Sequence, residues 1–249
     1  MLAEREAMSR AQLASVRSIR MGSAPVSPAL HAALVQTFPQ AQILNAYGTT
    51  EAGPVVFGPH PQGLPTPLAS VGYPHPQVRL RLNAQSVLEM KCPAVMLGYH
   101  NLRQATAKAM TADGYYITGD VFRCDAAGFH YFTGRIDDMF VSGGENIYPT
   151  EVERMLERHP AIRAASVIGV PDELKGTKPV AFVVLRDDAA ATEDEIKQFA
   201  LAQAPAYQHP RRVWMVAALP LSGTNKVDRK ALTEDALARL AVEPLGAGR

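Results

Sequence analysis

A single lysine, Lys226, stands in a small polar loop within "LPLSGTNKVDRKAL", between an apolar run and a helix-forming segment. An ammonium group stabilises negative charge, so such a loop can carry Lys226 to a negatively charged reacting group. The alternative is a solvated loop that ends a strand, with Asp228 capping the helix that follows. The local pattern favours the solvated loop, and the choice depends on the rest of the chain.

Glycine, hydroxyl and carboxylate groups follow one another in "NAYGTTEAG", residues 45–53, at the end of a predicted strand. Open α/β sheets bind their ligands beyond the carboxyl ends of their strands. Gly48 allows close backbone approach to a ligand, and Thr49 and Thr50 offer hydroxyls to phosphate oxygens. Glu51 can take Mg²⁺, which prefers carboxylate and phosphate oxygens together. An ordinary strand-end turn with exposed threonines is the alternative.

Two further charged residues suit the recognition of a ribose. Asp120 lies in the apolar run "YYITGDVF", where its carboxylate is either a turn cap or an acceptor for paired hydroxyls. Arg135, in "TGRIDD", presents a fixed fork of donors that suits a ribose or a phosphate. The alternative for Arg135 is a salt bridge to Asp137 or Asp138.

Consecutive glycines in "VSGGENIYP", residues 141–149, precede a predicted helix. They form either a nest of backbone N–H groups against a ligand or a tight turn. Other site patterns are missing from the sequence, which contains no Walker loop, no G-x-G-x-x-G and no G-x-S-x-G. Its histidines and cysteines also lack metal-ligand spacing. A serine hydrolase therefore has no support.

Composition limits the function classes. The 249 residues carry a formal net charge of +1 and 47% are apolar, so a real core is possible and no basic footprint for nucleic acid or membrane exists. Apolar runs such as "VAFVVL" are far too short to span a bilayer. Two cysteines, Cys92 and Cys124, are too few for a secreted disulfide framework, so we expect a cytoplasmic location. The N-terminal segment predicts an uncapped amphipathic helix without a signal peptide, as expected of a chain that begins inside a larger fold.

The first half of the chain predicts a βαβ unit followed by short strands. The helix "SPALHAALVQTF", with Ser27 as its cap, lies between the strands "SIRMG" and "AQILNAY", an order typical of a parallel sheet. Residues 54–67 are rich in Pro and Gly and predict a loop. From Ala69 to Arg135 the alternating runs predict a small antiparallel sheet or distorted barrel, with a hairpin at "DAAG".

A compact α+β unit is predicted after Asp137, so we place the domain boundary between 1–136 and 137–249. A strand "MFVSG" leads to a helix from Pro149 to about His159, and the hairpin "AASVIGV…PVAFVVL" follows. The capping box that begins at Thr192 opens another helix. The strand "RVWMVA", the lysine loop and a final helix complete the unit.

Four motifs occur in order along the chain: "YGTTE", "GYHN…DGYYITGD", "GRIDDMFVSGGENIYPTEVE" and "LSGTNKVDRK". In this order they resemble the signature of the adenylate-forming superfamily of acyl-CoA synthetases, peptide-synthetase adenylation domains and luciferases. The resemblance runs from about Ser18 to the last helix. "SGGENIYPTEVE" is similar to acyl- and aryl-CoA ligases, and peptide-synthetase adenylation domains rank second. The implied fold class is α/β and α+β: the C-terminal part of the large AMP-binding domain, with a βαβ unit and a small β-barrel, followed by a compact, mobile α+β domain.

The resemblance also implies roles for individual residues. Thr50 matches the phosphate contact, Glu51 the magnesium carboxylate, and Lys226 the lysine that bridges carboxylate and α-phosphate during adenylation. Asp137 falls at the hinge about which the C-terminal domain rotates. The other implied contacts are Gly22, Ala24, Tyr47, Gly48, Thr49, Asp120 and Arg135 in the nucleotide and acyl pocket, and Ser142, Gly143 and Gly144 at the pantetheine channel. With these matches the catalytic interpretation of Lys226 is preferred.

The implied function is that of an ATP-dependent carboxylic acid–CoA ligase, which forms an acyl-adenylate and then a thioester. ATP or AMP, Mg²⁺ and coenzyme A are the implied cofactors and co-substrates, and a small carboxylic acid is the implied partner. The apolar run "AGPVVFG" after Glu51 favours a fatty or aromatic acid over acetate. A non-catalytic nucleotide-binding or interaction module, or an adenylation domain of another branch, is the alternative.

One part of the family's signature is missing from the sequence. In relatives a Ser/Thr/Gly-rich phosphate loop with its lysine lies upstream of these motifs, within a large N-terminal domain. We therefore expect a fragment, a truncated reading frame or one part of a split enzyme, inactive or nearly so by itself. Its expected partner is the missing N-terminal half or a second copy of the chain, with no nucleic acid and no membrane span.

Overall fold

The computed structural model describes residues 13–22, 28–54, 56–223 and 225–242. The chain divides into two compact units, Met1–Phe132 and Thr133–Arg249. Each unit is described by itself, and the domain boundary near Asp137 stays a prediction. Most of the predicted N-terminal helix, the Ser27 cap and the position of Ala24 lie outside the described residues.

The first unit opens with the predicted strand–helix–strand. Strand β1 is Ser18–Met21, helix α1 is Pro28–Thr37 and strand β2 is Gln42–Asn45. β1 and β2 pair in parallel, with Ser18 opposite Gln42. The βαβ prediction is therefore confirmed, and the carboxyl end of β2 leads directly into the "YGTTE" turn.

Six strands and one helix complete this unit, and the last of the strands continues past Phe132. Strands β3 (Phe57–Gly58) and β4 (Tyr73–Pro74) form a small antiparallel pair. Strands β5 (Arg79–Leu82), β6 (Val87–Lys91), β7 (Tyr116–Cys124) and β8 (His130–Arg135) lie side by side in that order. β5 and β8 form the edges of this sheet, so the described residues show the antiparallel sheet of the prediction and not its closed barrel form. The predicted hairpin at "DAAG" joins β7 to β8.

Helix α2, Arg103–Lys108, was not predicted. It has six residues, no buried side chain and no side-chain cap at Leu102, so the sequence carries neither an apolar period nor a start signal for it. The core of the unit lies under the sheet, where Leu88, Met90 and Phe122 are buried and Tyr47 packs against them.

The second unit contains five further strands and three α-helices among its described residues. Strands β9 (Phe140–Ser142) and β10 (Glu145–Ile147) form a hairpin, followed by helix α3 (Pro149–Leu156). Strands β11 (Ile162–Asp172) and β12 (Gly176–Leu185) form the predicted long hairpin. Helix α4 (Glu193–Gln203), strand β13 (Val213–Met215) and helix α5 (Arg229–Val242) follow. The predicted capping box at Thr192 is present at the start of α4.

The sheet β11–β12–β13 is buried on both faces. Because successive side chains of a strand point to opposite faces, Val167 and Val183 join the core that includes residues of α3 and α4. Val170 and Phe182 join a second core, with Leu232 of α5. Two buried faces explain the continuous apolar run "VAFVVL". No helix in the described part of the chain is long and apolar enough to cross a bilayer.

Candidate active site

A tyrosine and an aspartate meet at the centre of the first unit. Tyr47 follows β2, and its hydroxyl donates to Asp120 Oδ2, on β7, at 2.5 Å. Asp120 is buried, and its backbone N–H donates to Thr118 Oγ1 at 3.0 Å. Burial, together with the negative charge of Asp120, raises the pKa of Tyr47, so the phenol stays protonated and donates. Asp120 is therefore a buried carboxylate that accepts a hydrogen bond from a protonated phenol.

Glu51 is held close to two further tyrosines. Tyr99 Oη donates to Glu51 Oε1 at 2.8 Å, and Met96 N–H donates to the Glu51 carbonyl at 2.6 Å. Tyr116 is buried, and burial followed by the negative charge of Glu51 raises its pKa. The charge of Asp120 acts on Tyr116 as well, so both carboxylates lie near this ring.

The first unit thus gathers two carboxylates and three tyrosine hydroxyls into one cluster: Tyr47, Glu51, Tyr99, Tyr116 and Asp120. Ionised carboxylates only accept hydrogen bonds or bind cations, so the cluster can receive sugar hydroxyls and a hydrated metal ion. Sequence reasoning selected Tyr47, Glu51 and Asp120 and missed Tyr99 and Tyr116. The signal for both was present, because each lies within a quoted motif, "GYHN" or "YYITGD".

The turn between Tyr47 and Glu51 packs against its own chain. A Cβ at Gly48 would lie 2.5 Å from Pro54 Cα, so the backbone that approaches this glycine is internal. Thr49 N–H donates to the Gly53 carbonyl at 3.2 Å, and Thr49 Oγ1 accepts Ala52 N–H at 3.0 Å. The strand-end turn therefore accounts for Gly48 and Thr49 without a ligand. Thr50 is exposed at its tip.

Gly22 lies beside the same segment. Met21 accepts the N–H of Ala46 at 2.6 Å, and a Cβ at Gly22 would lie 3.1 Å from the Ala46 carbonyl oxygen. The end of β1 therefore borders the chain that enters Tyr47. Ala24, predicted with Gly22 as a pocket wall, lies outside the described residues.

In the second unit Lys226 is exposed on a narrow, hydrogen-bonded loop. Ser222 N–H donates to the Lys226 carbonyl at 2.7 Å, and Leu221 and Val227 form an antiparallel bridge. Asp228 Oδ1 accepts the N–H of Ala231 at 3.1 Å and so caps α5. The helix cap predicted for Asp228 is therefore present. Lys226 takes no part in this cap, and the residue is exposed.

Arg229 fixes the base of that loop, and sequence reasoning missed it. Its Nη2 lies 2.9 Å from Glu153 Oε1, on α3, and its Nη1 donates to the Val167 carbonyl at 2.6 Å. Asp138 Oδ2 lies 3.6 Å from its Nε. The arginine therefore joins the start of α5 to α3, to β11 and to the turn after β8.

At Arg135 the structure shows the salt bridge, and at the glycine pair it shows the tight turn, which sequence analysis gave as the alternatives to ligand contacts. Arg135 Nη2 donates to Asp137 Oδ2 at 3.1 Å, the salt bridge offered as an alternative. Gly143 and Gly144 have φ of +60° and +91° and join Ser142 to Glu145 as a two-residue hairpin turn, which needs glycine at positive φ. Gly143 N–H donates to the Lys175 carbonyl at 3.0 Å. Ser142 is buried below the turn.

A metal ion would have to share ligands with a substrate here. In the described ranges no group of three or more His, Cys, Asp or Glu side chains could hold one. Mg²⁺ binds through one or two carboxylates together with substrate phosphates and water. Glu51, half-buried and beside the exposed Thr50, fits that donor set.

Two family models match this chain. The model described as AMP-binding enzyme matches residues 1–100, and the model of the AMP-binding enzyme C-terminal domain matches residues 151–226. Together they cover most of the chain, including the "YGTTE" turn and the lysine loop.

Individual proteins agree with these models. The human mitochondrial medium-chain acyl-CoA ligase ACSF2 is 33% identical over 86% of this chain, and the matched region is 37% of its own length. The structure of the anthranilate CoA ligase AuaEII with anthranoyl-AMP matches 96% of this chain and 49% of that one, with a TM-score of 0.78 and 27% identity. The amide bond synthetase McbA from Marinactinospora thermotolerans matches 88% and 46%, with a TM-score of 0.80 and 28% identity. The chain spans less than half the length of these relatives, and it belongs to the AMP-binding enzymes, the adenylate-forming superfamily of the acyl- and aryl-CoA synthetases.

Proposed function

We propose that this chain supplies the ribose, magnesium and lysine elements of an ATP-dependent carboxylic acid–CoA ligase. The observation that carries the proposal is the cluster in which Tyr47 holds Asp120 and Tyr99 holds Glu51, because it brings a second carboxylate close to Glu51, which lies on the matched AMP-binding segment. Similarity to acyl- and aryl-CoA ligases supports the reaction class.

Residues of the first unit, together with Arg135 near the start of the second, bind the nucleotide in this proposal. Asp120 accepts the ribose hydroxyls, Arg135 donates to the ribose, and the exposed Thr50 donates to a phosphate oxygen. Glu51 would hold Mg²⁺, which supplies charge neutralisation on the phosphates when bound. Gly22, Tyr47 and Gly48 border the base and the acid. These groups position the reactants, which is most of what a protein contributes to phosphoryl chemistry.

Lys226 serves the first half-reaction. A carboxylate oxygen of the acid attacks the α-phosphorus and pyrophosphate leaves, so negative charge gathers on the groups that an ammonium can stabilise. An exposed lysine on a narrow loop suits this role because the proposed rotation about Asp137 can deliver it and withdraw it.

The glycine turn serves the second half-reaction. The thiol of coenzyme A attacks the acyl carbon and AMP leaves, with Ser142, Gly143 and Gly144 along the thiol's path. Asp137 is the proposed hinge between the two arrangements. A Cβ at Gly144 would meet nothing within 4 Å, so the outer side of this turn is open.

The acid is proposed to be fatty or aromatic, on similarity alone. The apolar run after Glu51 was offered as a pocket wall, but Val56 and Phe57 are buried in the core of the first unit. Support comes instead from relatives named as medium-chain and anthranilate ligases. A screen with acetate, octanoate, palmitate and benzoates tests the choice, and a clear preference for acetate would overturn it.

Activity is proposed to need residues that this chain does not contain. The phosphate loop of the superfamily is missing from the sequence, so an N-terminal half is the proposed partner that supplies it. Association with a second copy of the chain is proposed separately, because a second copy would not supply the loop. A reducing compartment such as the cytoplasm is part of the proposal, supported by the unpaired thiols of Cys92 and Cys124.

Acid-dependent exchange of pyrophosphate into ATP is the test. We expect robust exchange when the chain is joined to an N-terminal half and almost none from the chain alone. Strong exchange by the chain alone would overturn the need for the other half. Nucleotide binding without exchange in the joined protein would favour the alternative, a non-catalytic module.

A further inference from the structure

The segment that contains "GYHN" holds Glu51 at two points. The Tyr99 hydroxyl donates to the Glu51 side chain, and the Met96 N–H donates to the Glu51 carbonyl. One bond orients the carboxylate, and the other fixes the backbone that carries it. The carboxylate therefore has a defined direction before any ligand binds.

Tyr99 is itself fixed by the helix that follows. Its N–H donates to Thr106 Oγ1 at 2.9 Å, and the Thr106 hydroxyl donates to the Leu102 carbonyl at 3.1 Å, at the start of α2. Gly98 has a φ of +149°, and a Cβ there would lie 2.8 Å from Thr106 Cγ2, so a glycine is needed for the threonine to approach. A chain of contacts thus runs from α2 through Tyr99 to Glu51.

We propose that Tyr99 is a positioning residue that presents the Glu51 carboxylate to a magnesium–nucleotide complex. The proposal rests on the proposed function, in which Glu51 is the magnesium carboxylate. A carboxylate has about four lone-pair sites, so an oxygen that accepts the tyrosine hydroxyl leaves room for a metal ion or its water. Groups that hydrogen-bond a metal ligand lower the cost of ordering it, and their loss typically weakens metal binding by about 10-fold or more.

A matched pair of variants separates positioning from simple loop support. Tyr99→Phe removes one hydroxyl and keeps the ring. Tyr131→Phe is the control, because the Tyr131 hydroxyl donates to Asp125 Oδ2 at 2.9 Å and so makes the same kind of bond elsewhere in the same unit. Both variants lose one tyrosine–carboxylate hydrogen bond, and only one of them touches Glu51.

Two readouts are measured on the chain joined to an N-terminal half. Electron paramagnetic resonance gives the Mn²⁺ dissociation constant in the presence of ATP, without turnover. The Mg²⁺ concentration for half-maximal pyrophosphate exchange gives the second. For Tyr99→Phe we expect both to rise about 10-fold, with an unchanged thermal midpoint and unchanged ATP affinity in the absence of metal. For Tyr131→Phe we expect wild-type values.

Glu51→Gln and the double variant complete the test. If Glu51→Gln weakens Mn²⁺ binding and Tyr99→Phe does not, the inference about Tyr99 is wrong and the proposed function stands. If neither variant changes the metal requirement, the assignment of Glu51 as the magnesium carboxylate fails and the inference fails with it. Adding Tyr99→Phe to Glu51→Gln should cause no further loss. An additive loss would show that Tyr99 acts on something other than this carboxylate.

Discussion

Arg229 and Glu153 form an ion pair, with 2.9 Å between Nη2 and Oε1, that joins the first turn of α5 to α3. Lys226 lies three residues before this arginine and is exposed. The base of the lysine loop is therefore anchored, while the lysine side chain contributes little to packing. A substitution of Lys226 can then report on chemistry alone.

We expect Lys226→Ala to slow acyl-adenylate formation strongly and to leave thiolysis intact. In the proposed function the cation acts while charge gathers on the α-phosphate. Its loss should therefore raise the barrier by about 3–4 kcal/mol, or slow the step about 10²–10³-fold. Single-turnover measurement of each half-reaction in the full-length ligase tests this, with thiolysis followed from supplied acyl-adenylate. Lys230→Ala, an exposed lysine four residues later, is the control. Equal losses in both half-reactions would mean that Lys226 is structural.

Gly144→Trp should have the opposite effect. The outer side of Gly144 is open, so an indole there would fill the proposed path of the thiol and leave pyrophosphate exchange largely intact. Its φ of +91° also disfavours any side chain, at a cost of about 1 kcal/mol. Gly144→Ala carries the same backbone cost without the bulk. If the alanine variant is as slow in thiolysis as the tryptophan variant, backbone strain and not a blocked channel is responsible.

Asp137→Pro should impair mainly the second half-reaction. Proline fixes φ at the proposed hinge and so opposes the rotation that thiolysis needs. Asp137→Ala is the control, because it removes the 3.1 Å pair with Arg135 and leaves φ free. Stopped-flow thiolysis compares the two variants. A similar loss in both would assign the effect to the ion pair instead of the hinge.

Arg229→Met should destabilise the second unit. It leaves the half-buried carboxylate of Glu153 without its guanidinium, and we expect a loss of about 2–3 kcal/mol in the free energy of unfolding. Asp235→Asn, on the same helix, removes an exposed pair with Arg239 and should cost less than about 0.5 kcal/mol. Urea unfolding of both variants gives the comparison. Equal losses in the free energy of unfolding would contradict the inference that Arg229 anchors the loop.

The folded chain should lose stability below about pH 6.5, in part through His209. Burial, and then the positive charges of Arg211 and Lys197, lowers the pKa of His209 to about 4. As pH falls between these two values the unfolded chain binds a proton that the folded chain does not. Stability therefore falls with pH, by about 1 kcal/mol per pH unit.

His209→Met should flatten that decline, and His100→Gln, at an exposed histidine, should not. Urea midpoints at pH 7.5 and pH 5 measure the difference. Equal acid sensitivity in His209→Met and the unsubstituted chain would exclude His209 as the cause.

Periodicity and capping signals predicted most of the fold. The βαβ unit, the strands β5 to β8, the long hairpin and the capping box at Thr192 follow from alternation, apolar runs and a four-residue signature. Strand β10 was missed because three residues are too few to show an alternation of apolar and polar side chains. The helix predicted to reach about His159 ends at Leu156. Short elements depend on tertiary packing, which a local pattern does not contain.

The sequence predicted the charged groups of the candidate site and Tyr47, but not the other residues that contact them. Asp120 and Glu51 stand out because a carboxylate in an apolar or glycine-rich stretch needs an explanation. Tyr99 and Tyr116 do not stand out, since tyrosines in such runs usually pack in a core. Sequence reasoning missed Arg229 because its partner Glu153 is distant in sequence and only the fold brings the two together.

The bond between Tyr47 and Asp120 has a consequence for the lifetime of the protein. A buried carboxylate without a partner would favour local opening of β7, but the tyrosine supplies that partner whether or not a nucleotide is present. The first unit should therefore resist proteolysis even when no ATP is bound. Under the proposed function, depletion of ATP would leave the first unit folded and able to bind nucleotide again when ATP returns.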